Sequence, residues 1–167
     1  MKLFKLIALL ITCVFLHSNC FSQNILMNIL THNSGVVRKS ETVLVEVTIC
    51  NTSASDSVPM YKLKPQVSVP SEIARIATSG HTLPAGWTII SNDGFTIRFS
   101  NGTDELRAAE CRTIFIAVKG KKRGGPSTIS GSLLFSNGIA PGSAPGAPTQ
   151  NDNPADNNST STCRIID

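Results

Sequence analysis

Histidine is the side chain best suited to acid and base catalysis near neutral pH, and this sequence contains few histidines. Outside the first 22 residues only His32 and His81 occur, each in a polar stretch without a second His or a Cys nearby. A catalytic base needs a nucleophile within reach, and a zinc ion needs several converging ligands. The pattern therefore predicts a protein that is not an enzyme, with its histidines in surface loops.

A second group, Asp152, Asn153, Asp156, Asn157 and Asn158, places hard oxygen atoms close together near the end of the chain. Calcium prefers oxygen ligands of this kind, but the spacing is not that of an EF-hand loop. Short Asp and Asn side chains also satisfy backbone donors in turns. The stretch is therefore either a weak calcium candidate or a hydrogen-bonded turn, and no other cofactor is predicted.

Residues 1–22 have the three-part form of a secretory signal, with two lysines, an apolar run over residues 6–16 and a polar end. The run is about half of the ~20 residues that a membrane helix needs, so no transmembrane segment is predicted in the processed chain. Cleavage after Ser22 leaves residues 23–167 as one domain, while a cut before Cys20 with lipid attachment is the alternative. We expect an exported protein, secreted or at the cell surface, with the periplasm or a lipid-anchored position on the outer membrane as alternatives.

Loss of the leader lowers the formal net charge from +4 to +2, because Lys2 and Lys5 are removed with it. A nearly neutral chain gives no electrostatic argument for binding nucleic acid. Three of the five cysteines stay in the processed chain, namely Cys50, Cys111 and Cys163. In an oxidising compartment this number predicts one disulfide and one spare thiol.

Several short motifs could mark contacts or modifications. The basic turn formed by Lys119, Lys121, Lys122 and Arg123 fits either an anionic polysaccharide or lipid head group, or a solvated hairpin tip. The triplet Asp56-Ser57-Val58 resembles one that some Gram-negative bacteria O-glycosylate. Four triplets match the acceptor of N-glycosylation: Asn51-Thr52-Ser53, Asn101-Gly102-Thr103, Asn157-Asn158-Ser159 and Asn158-Ser159-Thr160.

The elements that must position these residues are strands. Residues 42–50 and 112–119 alternate apolar and polar side chains with period two, as half-buried strands do. Residues 60–69 form a weaker strand, which Pro65 predicts to lie at an edge or a bulge. Residues 71–78 fit either a helical turn or a short strand. Further strands are predicted over residues 127–136 and 159–166, and the Pro-, Gly-, Ala- and Asn-rich residues 137–158 predict a flexible loop.

The clearest hairpin signal surrounds the only tryptophan, Trp87. A three-residue loop of Asn92, Asp93 and Gly94, with Gly94 left-handed, would place Ile89 opposite Ile97 and Trp87 opposite Phe99. One face of the hairpin would then carry four large apolar side chains, which a second sheet must bury. The hairpin therefore predicts an antiparallel sandwich.

The order of four motifs resembles a known family. These are Asn51-Thr52 at the end of a strand, Leu-Pro-Ala-Gly-Trp at residues 83–87, the strand at 112–119 and the Asp/Asn-rich stretch at 152–158. Together they resemble domain of unknown function 11, a repeat of bacterial and archaeal surface proteins. The resemblance implies an all-β, immunoglobulin-like antiparallel β-sandwich of about seven to nine strands, without catalytic residues. This chain departs from the family in holding a single copy and an insertion before the last motif.

In such a sandwich, the strand that ends at Cys50 runs antiparallel beside the strand that Cys111 begins. Both cysteines also fall on the face opposite the apolar stripe of their strand. This arrangement favours a Cys50–Cys111 disulfide over the two pairings with Cys163. Cys163 would then be free, or the alternative partner.

We expect an exported, noncatalytic module of the cell surface or extracellular matrix, with a structural or adhesive role. Its partner would be an unknown protein or glycan, and self-assembly is compatible with the sequence. Two alternatives stay open. The chain could be a subunit of an extracellular assembly joined by strand addition, or a small secreted hydrolase built around His81 or His32.

Overall fold

The computed structural model describes residues 24–138, 143–148 and 152–167, so the predicted leader lies outside the described residues. Two β-sheets pack around one apolar core. Sheet A has the order β1-β3-β8-β5, with β1 (Ile25–Thr31), β3 (Thr42–Asn51), β8 (Cys111–Gly120) and β5 (Ala74–Ile76). Sheet B has the order β2-β11-β9-β4-β7-β6, with β2 (Val36–Arg38), β11 (Asn158–Ile166), β9 (Gly124–Ser136), β4 (Leu63–Ser68), β7 (Thr96–Ser100) and β6 (Thr88–Asn92), while β10 (Pro145–Gly146) pairs with β9.

The predicted all-β sandwich is confirmed, although the described residues form eleven strands rather than seven to nine. The additional strands β2, β5 and β10 have two or three residues each, too few to show a period-two pattern. Within the described part of the chain, no helix is long and apolar enough to cross a membrane.

The strands β3 and β8 form the centre of sheet A, and their alternating patterns decide which side chains enter the core. Val45, Val47 and Ile49 of β3 are fully buried, as are Ile114 and Ile116 of β8. Fully burying an aliphatic side chain of this size contributes roughly 1.5–3 kcal/mol. The predicted faces of both strands are confirmed.

The predicted register of the β6–β7 hairpin is wrong. Ile89 lies opposite Phe99 and Asn92 lies opposite Ile97, and a bulge at Ile90 separates the two pairs. Ile97 and Phe99 enter the core as expected, whereas Ile89 is 39% exposed instead of facing the second sheet. A bulge adds one unpaired residue to a strand, and the alternation of faces changes at that point.

The loop of this hairpin explains the shift. The Asp93 carboxylate accepts hydrogen bonds from the backbone N–H groups of Phe95 at 2.8 Å and Thr96 at 2.6 Å. Asp93 therefore closes the turn with its side chain, and the loop contains residues 93–95 rather than 92–94. Gly94 has the expected left-handed conformation, with φ of 88°.

The strand β4 is internal, which corrects the edge position predicted from Pro65. It pairs with β9 along its whole length, but its pairing with β7 reaches only from Gln66 to Ser68. Beyond Pro65, the Leu63 N–H donates instead to the side-chain oxygen of Asn101, at 3.0 Å. Proline lacks an N–H, and it lies where the ladder to β7 has ended.

Two ambiguous stretches resolve into connections at the same end of the sandwich. Residues 71–78 contain both alternatives, because the N–H groups of Ile73 and Ala74 bond to Pro70 in a tight turn before the short strand β5. The basic turn after β8 leads from sheet A to sheet B, so it is a crossover and not a hairpin tip.

The outer edge of β1 is closed by side chains and backbone of the last part of the chain. The N–H groups of four alternate residues point outward and each has a partner there. The pairs are Ile25 with Asp152 Oδ1, Met27 with the Asp156 carbonyl, Ile29 with Ser159 Oγ and Thr31 with Ser161 Oγ. The edge therefore offers no free donor at these positions.

The loop predicted at residues 137–158 makes defined contacts where it is described. Its strand β10 pairs with β9, and the ammonium groups of Lys62 and Lys64 donate to the carbonyl oxygens of Ala147 and Ser143. Residues 139–142 and 149–151 lie outside the described residues. The flexibility of this loop stays a prediction.

Candidate functional site

His81 takes the place of a neighbouring strand beside β8. Its Nδ1 accepts a hydrogen bond from the backbone N–H of Ala117 at 3.2 Å, and its Nε2 lies 3.0 Å from the carbonyl oxygen of Ala77. The first contact requires Nδ1 to be unprotonated, so Nε2 carries the proton and donates it to Ala77. Both ring nitrogens are thus used to hold the backbone.

His32 lies on the outer face of sheet A. Its Nε2 is 3.1 Å from Glu46 Oε2, and its ring meets the ring of Phe115 edge-on at a centroid distance of 5.9 Å. The Glu46 carboxylate also accepts a hydrogen bond from Thr48. The structure therefore joins His32 to a carboxylate on an open sheet face, and it does not bring His32 and His81 together in one pocket.

A disulfide joins Cys50 of β3 to Cys111 of β8. The two residues lie directly opposite each other in the antiparallel ladder, with their Cα atoms 4.0 Å apart. This is the pairing that the order of the strands favours.

Cys163 is free and buried in β11, and burial raises the pKa of its thiol above the ordinary value. A neutral buried thiol is a poor nucleophile.

The predicted calcium residues mainly connect the end of the chain to β1. The Asp152 carboxylate accepts hydrogen bonds from the backbone N–H of Ile25, at 2.9 Å, and from the side-chain amide of Asn157. The Asp156 carboxylate accepts one from the side-chain amide of Asn24 at 3.3 Å. These contacts are those of a hydrogen-bonded turn.

Two members of the group differ from the others. The side-chain oxygen of Asn153 accepts a hydrogen bond from the N–H of Ala155, whereas Asn158 is exposed at the start of β11. Two buried oxygens, Asp156 Oδ1 and Asn157 Oδ1, have no hydrogen-bond partner among the described residues. In the described part of the chain, no three His, Cys, Asp or Glu side chains are grouped so that they could hold a metal ion. Calcium binding stays a prediction.

Burial separates the predicted glycosylation triplets. Asn51 and Asn101 are 1% and 0% exposed, and each side-chain amide donates two hydrogen bonds to backbone carbonyls. Asn157 is also buried, so Asn158 is the exposed acceptor of the four. The Ser57 hydroxyl of the O-glycosylation triplet donates to the Glu105 carboxylate.

Sequence reasoning missed a polar cluster around the tryptophan. The indole Nε1 of Trp87 donates to Asp104 Oδ2 at 2.7 Å, and Arg112 holds the same carboxylate with Nε at 2.8 Å and Nη2 at 3.2 Å. Arg112 also bonds to Glu110 at 3.1 Å. The hydrogen bonds from Arg112 to Asp104 raise the pKa of the guanidinium above its ordinary value. No spacing in the sequence connects these residues, since Asp104 lies in a loop between the strands.

An open groove of about 670 Å³ lies on the outer face of sheet A, between β5 and the tip of the β6–β7 hairpin. Leu44 and Ala117 give it apolar surface, residues 78–80 and 92–94 line it, and Arg75 and Lys119 contribute two positive charges. Its volume is within the range of about 300–1,000 Å³ that is usual for ligand pockets.

The two cations of the groove have no ion-pair partner among the described residues. Arg75 and Lys119 lie directly opposite each other on β5 and β8, and neither side chain makes a hydrogen bond or ion pair with any described residue. Like charges placed directly opposite each other in a sheet destabilise it. The one carboxylate of the groove, Asp93, is engaged by its own turn, and the hydrogen bond from the Phe95 N–H lowers its pKa below the ordinary value. The groove therefore suits an anionic group.

More positive charge surrounds this groove. We call the end of the sandwich where β3 begins and β8 ends the basic end. Lys39 bridges to Gly120 there, and the N–H groups of Lys121 and Lys122 bond to Ile73. Its charged residues are the cations Arg38, Lys39, Arg75, Lys119, Lys121, Lys122 and Arg123 and the carboxylates Glu41, Glu72, Asp93 and Asp167. Lysine and arginine from three separate segments, residues 38–39, 75 and 119–123, meet here, and the sequence reveals only the last of these groups.

No protein-family model and none of the curated proteins matches the chain. Among solved structures, it is similar to a cohesin module from a family 33 glycoside hydrolase of Clostridium perfringens, with a TM-score of 0.53, 11% identity, and coverage of 85% of this chain and 98% of that one. It is also similar to the CARDB domain of a Pyrococcus furiosus protein in complex with di-metal ions, with a TM-score of 0.48, 11% identity, and coverage of 87% and 90%.

A protein from Nocardia farcinica with an immunoglobulin-like fold has a TM-score of 0.44 and 13% identity to this chain, with coverage of 82% of this chain and 98% of the other. At such identities a likeness concerns the fold alone, because function depends on the residues of a site. The chain has an immunoglobulin-like β-sandwich fold.

Proposed function

We propose that this chain is an exported, noncatalytic binding module of the cell surface, with a structural or adhesive role. The observation that carries the proposal is the open groove in which Arg75 and Lys119 face each other and neither is paired with a carboxylate of the described residues. Desolvating two adjacent cations is favourable only when an anion pairs with them. The groove therefore binds an acidic segment of a partner.

The positions of the histidines support the noncatalytic part of this proposal. A hydrolase built on His81 would need a free ring nitrogen, but both nitrogens of His81 hold backbone groups. His32 has Glu46 as its partner on an open sheet face and does not line the groove. A panel of peptide, ester and glycoside substrates should therefore give no turnover that disappears on His32→Ala or His81→Ala.

The alternative function, assembly by strand addition, requires a sheet edge with free backbone donors and acceptors. In sheet A, β1 is closed by the last part of the chain, and the Ile76 N–H of β5 donates to Gly94 of the hairpin tip at 2.7 Å. In sheet B, β6 is exposed along its whole length, but its bulge at Ile90 interrupts the regular row of donors and acceptors. We therefore place the binding surface at the groove rather than at a strand edge.

Binding of a fluorescein-labelled hexaglutamate peptide, followed by anisotropy at low salt, tests the groove. We expect saturable binding that weakens roughly tenfold in the Arg75→Gln/Lys119→Gln variant, since both cations contact the anion. Arg98→Gln/Arg164→Gln is the matched control, because it removes two exposed arginines that do not line the groove. Equal binding by both variants would exclude the groove as the site.

Export is tested separately. We propose that residues 1–22 are removed. We also propose that the processed chain is a domain of the type called domain of unknown function 11. Fractionation of cells that produce the full chain with a C-terminal tag should place it outside the cytoplasm, and N-terminal mass spectrometry should find a peptide that begins at Gln23. Detection of a lipid-modified Cys20 at the N-terminus would instead support the alternative, in which the chain is cut before Cys20 and lipid is attached.

A further inference from the structure

The end of the sandwich opposite the groove carries the opposite charge. We call it the acidic end, the end where β3 finishes at Asn51 and β8 begins at Cys111. Its carboxylates are Asp56, Asp104, Glu105, Glu110, Asp152 and Asp156, and its cations are Lys62, Arg107 and Arg112. Carboxylates outnumber cations at this end, while cations outnumber carboxylates at the basic end. The two ends of the sandwich therefore carry opposite net charge.

Four carboxylates of the acidic end have no cationic partner among the described residues. Asp104 and Glu110 pair with Arg112, but Glu105 is bonded to the neutral Ser57 hydroxyl and Asp56 to the neutral Ser53 hydroxyl. Asp152 and Asp156 likewise accept hydrogen bonds only from amide groups among the described residues. A neutral donor fixes a carboxylate in place without neutralising it.

The two charged ends are far apart within one molecule. The strands β3 and β8 pair over nine residue positions from one end to the other. At about 3.3 Å per residue this separates the ends by roughly 26 Å, about three Debye lengths at physiological salt. The charges of one end therefore do not compensate those of the other, and each end is free to meet a complementary surface.

We propose that the basic end binds the acidic end of a second copy of this chain, so that copies associate head to tail. The inference rests on the proposed function, because it names the acidic partner of the groove. The exposed Glu105 of one copy enters the groove and pairs with Arg75 and Lys119 of the next. An interface between two different surfaces of one chain does not close on itself unless the rotation forms a ring, so it generates extended rows of modules.

Sedimentation velocity of the processed chain tests this association. We expect self-association at a dissociation constant on the order of 100 μM in 20 mM NaCl, weakened at least tenfold in 500 mM NaCl, because screening acts on exposed charge pairs. Arg75→Glu/Lys119→Glu should weaken association at least tenfold, and Asp56→Lys/Glu105→Lys should do the same. Combining all four substitutions in one chain restores complementary ends and should return the constant to within about threefold of the unmodified chain.

The control is Arg98→Glu/Arg164→Glu, which changes the net charge by the same amount at two exposed positions that do not line the groove. This variant should associate like the unmodified chain. Circular dichroism establishes that each variant is folded before sedimentation. A chain that stays monomeric at 500 μM in low salt, or a four-fold variant that stays as weak as either two-fold variant, overturns the head-to-tail contact. If hexaglutamate still binds to the groove in that case, the proposed function stands without the head-to-tail contact.

Discussion

The two ends of this sandwich use charged residues in opposite ways. At the acidic end each carboxylate accepts a hydrogen bond from the fold, and Asp104 alone holds both Trp87 and Arg112. At the basic end the side chains of five cations have no hydrogen-bond or ion-pair partner among the described residues, namely Arg38, Lys39, Arg75, Lys119 and Lys122. The carboxylates of the acidic end are thus engaged by the fold, whereas most side-chain cations of the basic end are not.

The comparison separates two roles of charged side chains. A carboxylate that is partly buried among protein donors stabilises the fold, and its removal leaves those donors unsatisfied. An exposed cation without a partner contributes little to stability, so its removal should leave the fold intact. Substitutions at the two ends should therefore have different consequences.

The largest effect should come from the disulfide at the acidic end. Cys50 and Cys111 close a loop with a sequence separation of 61 residues. On the chain-entropy model a link of this length stabilises the native state by about 4 kcal/mol, so reduction should lower the free energy of unfolding by that amount in urea denaturation. Reduction of the Cys163→Ala variant should give the same loss. If the free thiol were responsible instead, that variant would show no effect of reduction.

Asp104→Ala should have the next largest effect, a loss of about 2–3 kcal/mol in the free energy of unfolding. The substitution leaves Arg112, whose side chain is 25% exposed, and the indole of Trp87 without their acceptor. Urea denaturation measures the loss. The exposed neighbour Glu105 is the matched control, and Glu105→Ala should change stability by less than about 0.5 kcal/mol. Similar losses in the free energy of unfolding for both variants would contradict the idea that the partly buried Asp104 stabilises the fold more than the exposed Glu105 does.

Asp93 should produce a smaller effect that depends on pH. The hydrogen bond from the Phe95 N–H lowers the pKa of its carboxyl below 3.8. A lowered native pKa stabilises the fold above the unfolded value, and the contribution disappears as the pH falls through the native value. As the pH falls below about 4, the urea midpoint should therefore fall less steeply in Asp93→Asn than in the unmodified chain. Parallel curves for the two proteins would contradict this role.

The smallest effect on stability belongs to the groove. Arg75→Gln/Lys119→Gln should change the free energy of unfolding by less than about 0.5 kcal/mol, with a slight gain as the favoured direction, because it removes two opposed like charges. Thermal and urea denaturation both measure the change. A loss above about 1 kcal/mol would show that these cations support the fold, and the contrast between the two ends would then fail.

Much of the fold follows from local patterns in the sequence. The alternation in β3 and β8 identified both central strands and their buried faces, because period two is a property of each strand alone. The β6–β7 register was wrong, because the Asp93 side chain and the bulge at Ile90 moved the loop by one residue. The internal position of β4 was missed, because Pro65 lies just beyond the end of a ladder that only the assembled sheet defines.

The candidate site was less accessible to sequence reasoning. Arg75 and Lys119 become neighbours only through the pairing of β5 with β8, and β5 has three residues. The sequence drew attention to the basic turn, but not to the residues that join it from other strands. Charge that is brought together by topology leaves no mark on spacing or composition.

The serines that close the edge of β1 have a consequence for biosynthesis. Ile29 and Thr31 find their partners Ser159 and Ser161 130 residues later in the chain. At about 5–20 residues per second, the ribosome needs on the order of ten seconds to make the segment between them. Until then the first strand has an unprotected edge, and the sandwich cannot close around the growing chain. Completion of the fold is therefore deferred until translation has passed β11, which leaves an interval in which the chain can still be threaded through a narrow channel.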